Sequence, residues 1–330
     1  MIPWRQWRDK ARSHWVMATL LGMPILLFVL GPLLVVVLPH EQVFSAILVA
    51  VVLSSWRWAM LGWVFVGIWV AYRKRRFVLG GLVFVFGLIG MGWPFSGTGD
   101  GYLIVSANVQ AYASGQSALE KALAKERADV VLAIEKRAEE IDGMTRVVDN
   151  FDRDLPKPSH GMAFFCRHDL ECAGWVSPEI GVEGCSMPVA LLRLEQKICV
   201  VGVHVPPPVP ICATGVRPYI SWLADRIEDG RMATREGPCE IGDPVLAIGD
   251  FNATPGSWAV KRILAQGLRD PLLHRGIYAA TWPAGGGWPN LPFFRLDHVF
   301  PGALSVTGVQ TFRLPQSDHK ALRVWVKQED

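Results

Sequence analysis

Twenty-three consecutive residues without a charge, Val16 to Leu38, constrain this chain more than any other feature. A helix needs about 20 apolar residues to cross a bilayer core about 30 Å thick, so this run is predicted to span a membrane. Pro24 and Pro32 within it would bend such a helix, which membrane helices tolerate. Two further apolar stretches follow, Val43 to Tyr72, interrupted by Arg57 between Trp56 and Trp58, and Phe77 to Phe95, again uncharged. Splitting the second at Arg57 leaves pieces of about 14 residues, or about 21 Å of helix, too short to cross. It is read as one long tilted span with Arg57 snorkelling between interfacial tryptophans. An intramembrane arginine is otherwise a functional candidate.

Charge fixes the expected orientation. Arg5, Arg8, Lys10 and Arg12 precede the first span and Arg73-Lys74-Arg75-Arg76 follow the second. The positive-inside rule puts both clusters in the cytoplasm and the loop Pro39-His40-Glu41-Gln42 outside. A third span then delivers residues 96–330 outside the cytoplasm. No cleavage site follows the first run, so it is read as an anchor and not a removable signal peptide. Of the formal net charge of +3, residues 1–95 carry +7 and residues 96–330 carry −4. The basic character therefore belongs to the membrane part, and nothing in it speaks for tight binding of DNA, which phosphate contacts drive.

All six cysteines (Cys166, Cys172, Cys185, Cys199, Cys212, Cys239) lie in the second part, none at C-x-x-C spacing, which argues against a zinc site. An even number in one domain fits disulfides formed in an oxidising compartment; buried thiols in a cytosolic domain are the alternative. Spacing leaves the pairing open.

After a short Ser96–Gly101 linker, apolar β-type runs alternate with helical patterns through residues 102–330. Strands are expected at Tyr102–Val109, Asp129–Ile134, Met162–Cys166, Ala173–Val176, Val189–Leu194, Ile198–Val205, Pro244–Ile248, Phe294–Phe300 and Ala321–Val326. Helices are expected at Gln116–Arg127, Glu139–Val148, Val216–Glu228 and Trp258–Gln266. Mixed strands and helices with hairpin-like pairs predict an α/β sandwich and not a doubly wound parallel sheet.

Six strand ends carry polar residues: Asn108, Glu135, His204, the Gly249-Asp250-Phe251-Asn252 element, Asp297 within Arg295-Leu296-Asp297-His298, and Ser317-Asp318-His319. Asp and Asn favour turns anyway, but six such ends in one domain are hard to assign to turns alone. The residue types suit phosphoester cleavage. Hard divalent cations take oxygen ligands, a carboxylate can activate water, and an imidazole can offset charge growing on phosphoryl oxygens.

Gly249-Asp250-Phe251-Asn252-Ala253-Thr254-Pro255, Arg295-Leu296-Asp297-His298-Val299-Phe300, Ser317-Asp318-His319 and the preceding Thr281-Trp282-Pro283 resemble the motifs of the endonuclease/exonuclease/phosphatase superfamily. That group holds deoxyribonuclease-like nucleases, AP endonucleases, sphingomyelinases and inositol-phosphate phosphatases. The resemblance runs in order through residues 102 to 326, and the apolar stretches ahead look like those of a bacterial membrane-anchored subgroup. It implies a four-layer sandwich, two central mixed β-sheets flanked by helices, preceded by about three transmembrane helices, and a metal-dependent hydrolase of phosphoric esters. Glu135 would be the main ligand of Mg²⁺, or of Mn²⁺ in its place, with Asn108 beside it and Asp318 completing the network. Asp250 would position or deprotonate the attacking water and Asn252 would hold that water or a phosphate oxygen. His319, oriented by Asp297, would stabilise charge on the phosphate, and His204 would bind phosphate or assist the leaving group.

Two positions depart from the pattern: Ala107 stands where an aromatic residue is usual, and Ile134 where Gln is common. Both shape a pocket, so they bear on substrate preference. Lipid headgroups, nucleic acid and small phosphoesters all fit as substrates. His298, adjacent to Asp297 in a strand, is expected on the opposite face in a structural role. His160, His168 and His274 show no partner pattern, Lys136-Arg137 reads as a solvated helix start, and Gly285-Gly286-Gly287 as a flexible loop. Competing readings are a catalytically dead tethered binding module, which would lack one of the central residues, and a transporter, for which the spans supply no evident pathway.

Overall fold

A computed structural model of the protein describes residues 99–109, 116–135, 140–149, 161–182, 185–209, 212–273, 279–285 and 290–329. The three expected spans, His160, His274 and Lys136-Arg137 lie outside the described residues. Among the described residues no helix is long and apolar enough to cross a membrane.

In chain order the elements are β1 (Tyr102–Asn108), α1 (Gln116–Ala124), β2 (Val130–Ile134), β3 (Met144–Asp149), β4 (Met162–Arg167), β5 (Cys172–Val176), β6 (Ala190–Leu194) and β7 (Ile198–His204). There follow α2 (Ala213–Ala224), β8 (Ile227–Glu228), β9 (Arg231–Met232), β10 (Val245–Asp250), α3 (Trp258–Leu264), β11 (Trp282–Ala284), β12 (Asn290–Phe294), β13 (Asp297–Pro301), β14 (Leu304–Arg313) and β15 (Lys320–Gln328). They build two mixed sheets, one of six strands in the order β14-β15-β1-β2-β4-β3 and one of five in the order β13-β10-β7-β6-β5. β1 runs parallel to β2, β10 runs parallel to β7, and the other pairs within the two sheets are antiparallel.

Period-2 alternation decides what each face carries. Ile104, Leu132, Phe164, Leu192, Val200, Leu246, Ile248, Val299, Leu322 and Val324 form one apolar core between the sheets. The alternate residues of the five-stranded sheet, among them Val201, Val203, Ala247 and Phe300, pack outward onto Tyr219, Ile220 and Leu223 of α2 and Val260 and Ile263 of α3. Those of the six-stranded sheet, Val105, Ala107, Val131 and Ala133, pack with Leu123 of α1. Gly202 falls in the inter-sheet row, where a Cβ would press on Phe164 and Leu132 at 3.0–3.1 Å, so the smallest side chain lets the sheets close.

Several expectations are corrected. Over its described residues the predicted helix 139–148 gives way to strand β3: Gly143, at φ +79°, turns the chain, and Met144, Thr145, Arg146 and Val148 then pair against β4, with a bulge at Val147. The predicted strand 294–300 is two strands, parted at Arg295-Leu296 where Arg295 turns inward to Asp270. The helix expected at 216–228 lies three to four residues earlier, and β14 was not expected at all. Of the predicted linker, residues 99–101 are held against β14 and β15: Thr307 Oγ1 donates to Asp100 O (2.6 Å). A Cβ at Gly101, φ +99°, would lie 2.2 Å from Val326 O.

All six cysteines pair, as Cys166–Cys172, Cys185–Cys212 and Cys199–Cys239. The first joins the end of β4 to the start of β5, and so joins the two sheets.

Candidate active site

The inter-sheet rows change chemistry where they run out at one end. Asn108 continues the row Ile104–Ser106, His204 the row Val200–Gly202, Asp250 the row Leu246–Ile248, and Asp297 stands one step from Val299 on β13. β1, β7 and β10 end here and β13 and β15 begin here, because their antiparallel partners run the other way. With β2, which ends just before Glu135, six strands thus deliver polar groups to the open end of the apolar core, and Asn108, His204, Asp250, Asp297 and His319 are nearly inaccessible to solvent.

The groups are wired together. Asn108 Nδ2 donates to Glu135 Oε1 (2.8 Å) and Asp250 Oδ2 (3.0 Å). The Asn252 backbone N–H donates to Asp250 Oδ1 (2.8 Å), and Asn252 Nδ2 donates to Val205 O (2.9 Å). His204 Nε2 lies 3.6 Å from Glu135 Oε1, and His319 Nε2 lies 3.8 Å from Asp250 Oδ2. His319 Nδ1 meets Asp297 Oδ2 at 2.8 Å. Glu135 and Asn252 both sit at positive φ, +71° and +45°, which L-residues adopt reluctantly and which functional sites tolerate. At Gly249, φ +141°, a Cβ would lie 2.0 Å from Val203 O, so only glycine lets β10 approach β7 next to Asp250.

Electrostatics follow from this crowding. Burial pushes Asp250 up to about 7, with Asp297 and Glu135 adding to the rise and His319 and the Asn252 N–H opposing it. Burial alone would lower His319, but Asp297 and Asp250 outweigh it and lift the imidazole to about 10, so His319 is a cation at neutral pH. Burial also raises Asp318, against His319 and the Trp282 indole.

Seven of the eight predicted residues converge: Asn108, Glu135, His204, Asp250, Asn252, Asp297 and His319. Asp318 stands beside them, its Oδ2 accepting from Trp282 Nε1 at 3.1 Å, and it is in neither group of metal-capable atoms. Those groups are Glu135–His204–Asp250 and Asp250–Asp297–His319, each with its ligand atoms within 4.8 Å of one another. Glu135, the most exposed member of the first group, opens it to solvent. With two carboxylates and the Asn108 amide, that group offers the oxygen-rich donor set a hard divalent cation takes. In the second, the Asp297 oxygen is already bonded to His319, which suits a charge pair better than a ligand cage. His298 points away, as expected: its Nε2 meets Ala253 O at 2.8 Å, its ring packs on Phe251 and Phe300, and burial holds it well below the usual imidazole range.

The sequence reading missed the residues that hold the site. Ser317 Oγ donates to Asn108 O (2.7 Å) and accepts from His319 N–H (3.0 Å), tying the loop before β15 to the end of β1. Thr281 Oγ1 accepts from the N–H groups of Leu296 and Asp297 (3.1 and 3.2 Å). Both lie in quoted motifs, so proximity to His319 and to Trp282-Pro283 was the available signal. Tyr219, on α2, carried none.

Fold and site together define a class, an α/β sandwich whose two mixed sheets hold a carboxylate–amide–imidazole centre at one end of their shared core. The chain belongs to the Endonuclease/Exonuclease/phosphatase family, whose profile matches residues 105–319, from within β1 to His319 itself. Members of this family are phosphoester hydrolases, nucleases and phosphatases among them, and typically depend on a divalent metal. Similar solved structures include a functionally unknown conserved protein from Enterococcus faecalis V583, at 16% identity over 69% of this chain and 100% of that one, TM-score 0.51. A humanized D. rerio TDP2 carrying 14 mutations is similar at 15% identity over 69% and 99% of the two chains, TM-score 0.52. The catalytic domain of Xenopus laevis APE2 is similar at 16% identity over 68% and 91%, TM-score 0.51. At such identities the likeness is one of fold. Among curated proteins, none matches the sequence.

Proposed function

We propose that this chain is a membrane-anchored phosphoester hydrolase, dependent on Mg²⁺ or Mn²⁺, that acts outside the cytoplasm by attack of water on phosphorus. The observation that carries the reading is the opposition of two groups across a gap: Asp250, lifted toward neutrality, and the His319 cation 3.8 Å away. A group near pH 7 can take a proton from water, and a fixed cation can meet the charge that grows on the phosphoryl oxygens.

In this reading Asp250 orients and deprotonates the water, held by Asn108 Nδ2 and the Asn252 N–H. Asn252 offers its amide to that water or to a phosphate oxygen. His319 contacts the phosphate, fixed in orientation by Asp297, and His204 faces the same space from β7. Glu135 and Asn108 would hold the metal, with Asp318 completing the surrounding network. Bound there, a divalent cation neutralises phosphoryl oxygen charge and makes bound water more acidic. Three disulfides support an oxidising compartment, in keeping with the positive-inside orientation of the apolar spans. Candidate substrates are lipid headgroups, nucleic acid and small phosphoesters.

The test is a panel of phosphodiesters and phosphomonoesters assayed with the full-length solubilised chain, with Mg²⁺, with Mn²⁺ and after chelation. His319→Ala and Asp250→Asn run in parallel, each expected to lower kcat by about 10²–10³-fold. Turnover that survives chelation, or that both variants retain, overturns the mechanism. A reporter fused after residue 330 that works only in the cytoplasm overturns the orientation.

A further inference from the structure

Strands β6 and β7 pair only up to Ala190↔Gly202. Continued by two more residues in that register, Pro188 would face His204. Proline has no N–H to return, so the reciprocal pair of ladder bonds cannot form there. The chain fills the gap with a side chain from another layer. Tyr219, on α2, is fully buried, and its hydroxyl accepts the His204 backbone N–H (3.1 Å) while donating to Pro188 O (3.1 Å). One hydroxyl thus stands in for a missing ladder bond and holds the two strands apart at their catalytic end. On its other side His204 pairs with Asp250 on β10, and its imidazole faces Glu135 at 3.6 Å.

We propose that Tyr219 is a positioning residue for His204: its hydroxyl sets the spread of β6 and β7 and so the aim of the imidazole at the catalytic centre. The inference rests on the reading that His204 works in that centre. Removing the hydroxyl leaves His204 N–H and Pro188 C=O buried without that partner, and the strands must shift to recover one. Pro188→Ala acts from the opposite side. It restores an N–H that can close the ladder and draw the strands together.

The test is a double-mutant cycle in the full-length chain, using the substrate and metal found in the panel above. Tyr219→Phe is expected to lower kcat about ten-fold with KM changed less than about two-fold, the pattern of a lost transition-state interaction. In a His204→Ala background the same substitution is expected to change kcat by less than about two-fold, because the group it positions is gone. Leu223→Ala, which removes packing from the same helix without touching the hydroxyl, serves as control: a lower melting temperature with kcat kept. Equal losses from Tyr219→Phe in both backgrounds, or none in either, overturn the proposal. If Tyr219→Phe does not fold, Pro188→Ala carries the same cycle with the same expectations. Full activity in His204→Ala, beside losses in His319→Ala and Asp250→Asn, overturns this proposal and leaves the hydrolase reading standing.

Discussion

Arg295 and Asp270 form a buried ion pair whose removal can be worked through. Their side chains are 1% and 4% exposed. Arg295 Nη1 donates to Asp270 Oδ1 at 3.1 Å, Nη2 donates to Oδ2, and the Leu272 N–H adds a third bond to Oδ1 at 2.9 Å. Burial pulls the guanidinium below its usual range and Asp270 raises it again, so the charge depends on its partner. Asp270→Asn keeps the shape but strips the counter-charge from a desolvated cation, which typically costs about 3–5 kcal/mol. For a domain of about 230 residues, each kcal/mol corresponds to about 2–4 °C, so melting should fall by about 10 °C. Replacing both partners, Asp270→Leu with Arg295→Met, removes the stranded charge and should recover most of that loss. Arg295 lies two residues before Asp297, so kcat measured well below either melting point should follow the same order. Circular dichroism melts of the three proteins decide it. An Asp270→Asn melt within about 2 °C of wild type would refute the argument that this charge relies on its partner.

His298 and His319 should respond oppositely to pH. His298 stays neutral when folded but charges near 6.5 when unfolded, so stability is lost as pH falls below 6.5. The slope is up to about 1.4 kcal/mol per pH unit. Urea titrations at pH 7.5 and 5.5 should show this slope as the difference between wild type and His298→Phe, since the contribution of Asp250 is common to both. His319, raised to about 10, contributes stability that is complete below 6.5 and lost as pH rises toward 10; an alkaline melt series of His319→Gln should lack that decline. Loss of the Cys199–Cys239 bridge, whose ends are 40 positions apart in sequence, should destabilise by about 4 kcal/mol on the chain-entropy model, read by urea midpoints of the Cys199→Ala/Cys239→Ala double variant. Gly249→Ala must push a methyl into Val203 O; activity should fall by more than ten-fold, about the effect of a small misplacement at a reacting centre, and wild-type kinetics would contradict the close approach.

Much of the site was legible in the sequence because its residues end buried strands. Asn108, His204 and Asp250 each extend a run whose alternation already says which face they share. The same alternation put His298 opposite Asp297. What local pattern could not show was long-range. Residues 139–148 carry enough Glu, Ile and Val spacing to look helical, and only pairing with β4 makes Met144–Asp149 a strand. β14 sits at a sheet edge, half-exposed and broken by Gly308, so its alternation is weak. The break at Arg295 depends on Asp270, 25 residues away, and the Tyr219 hydroxyl reaches Pro188 across 31. Neither distance leaves a mark on sequence periodicity.

The hold of Thr307 on Asp100 has a practical consequence. Tyr102 on β1 pairs with Val326 on β15, so the chain comes into this domain and leaves it at one end of the six-stranded sheet. Asn108 and His319 lie at the other end. A tag or surface coupling attached at residue 99 or residue 329 would therefore sit a full strand length, about 20 Å, from Asn108 and His319. The domain comes with a handle at one end and its candidate site at the other, and a domain held at residue 99 or residue 329 should keep that site open to solution.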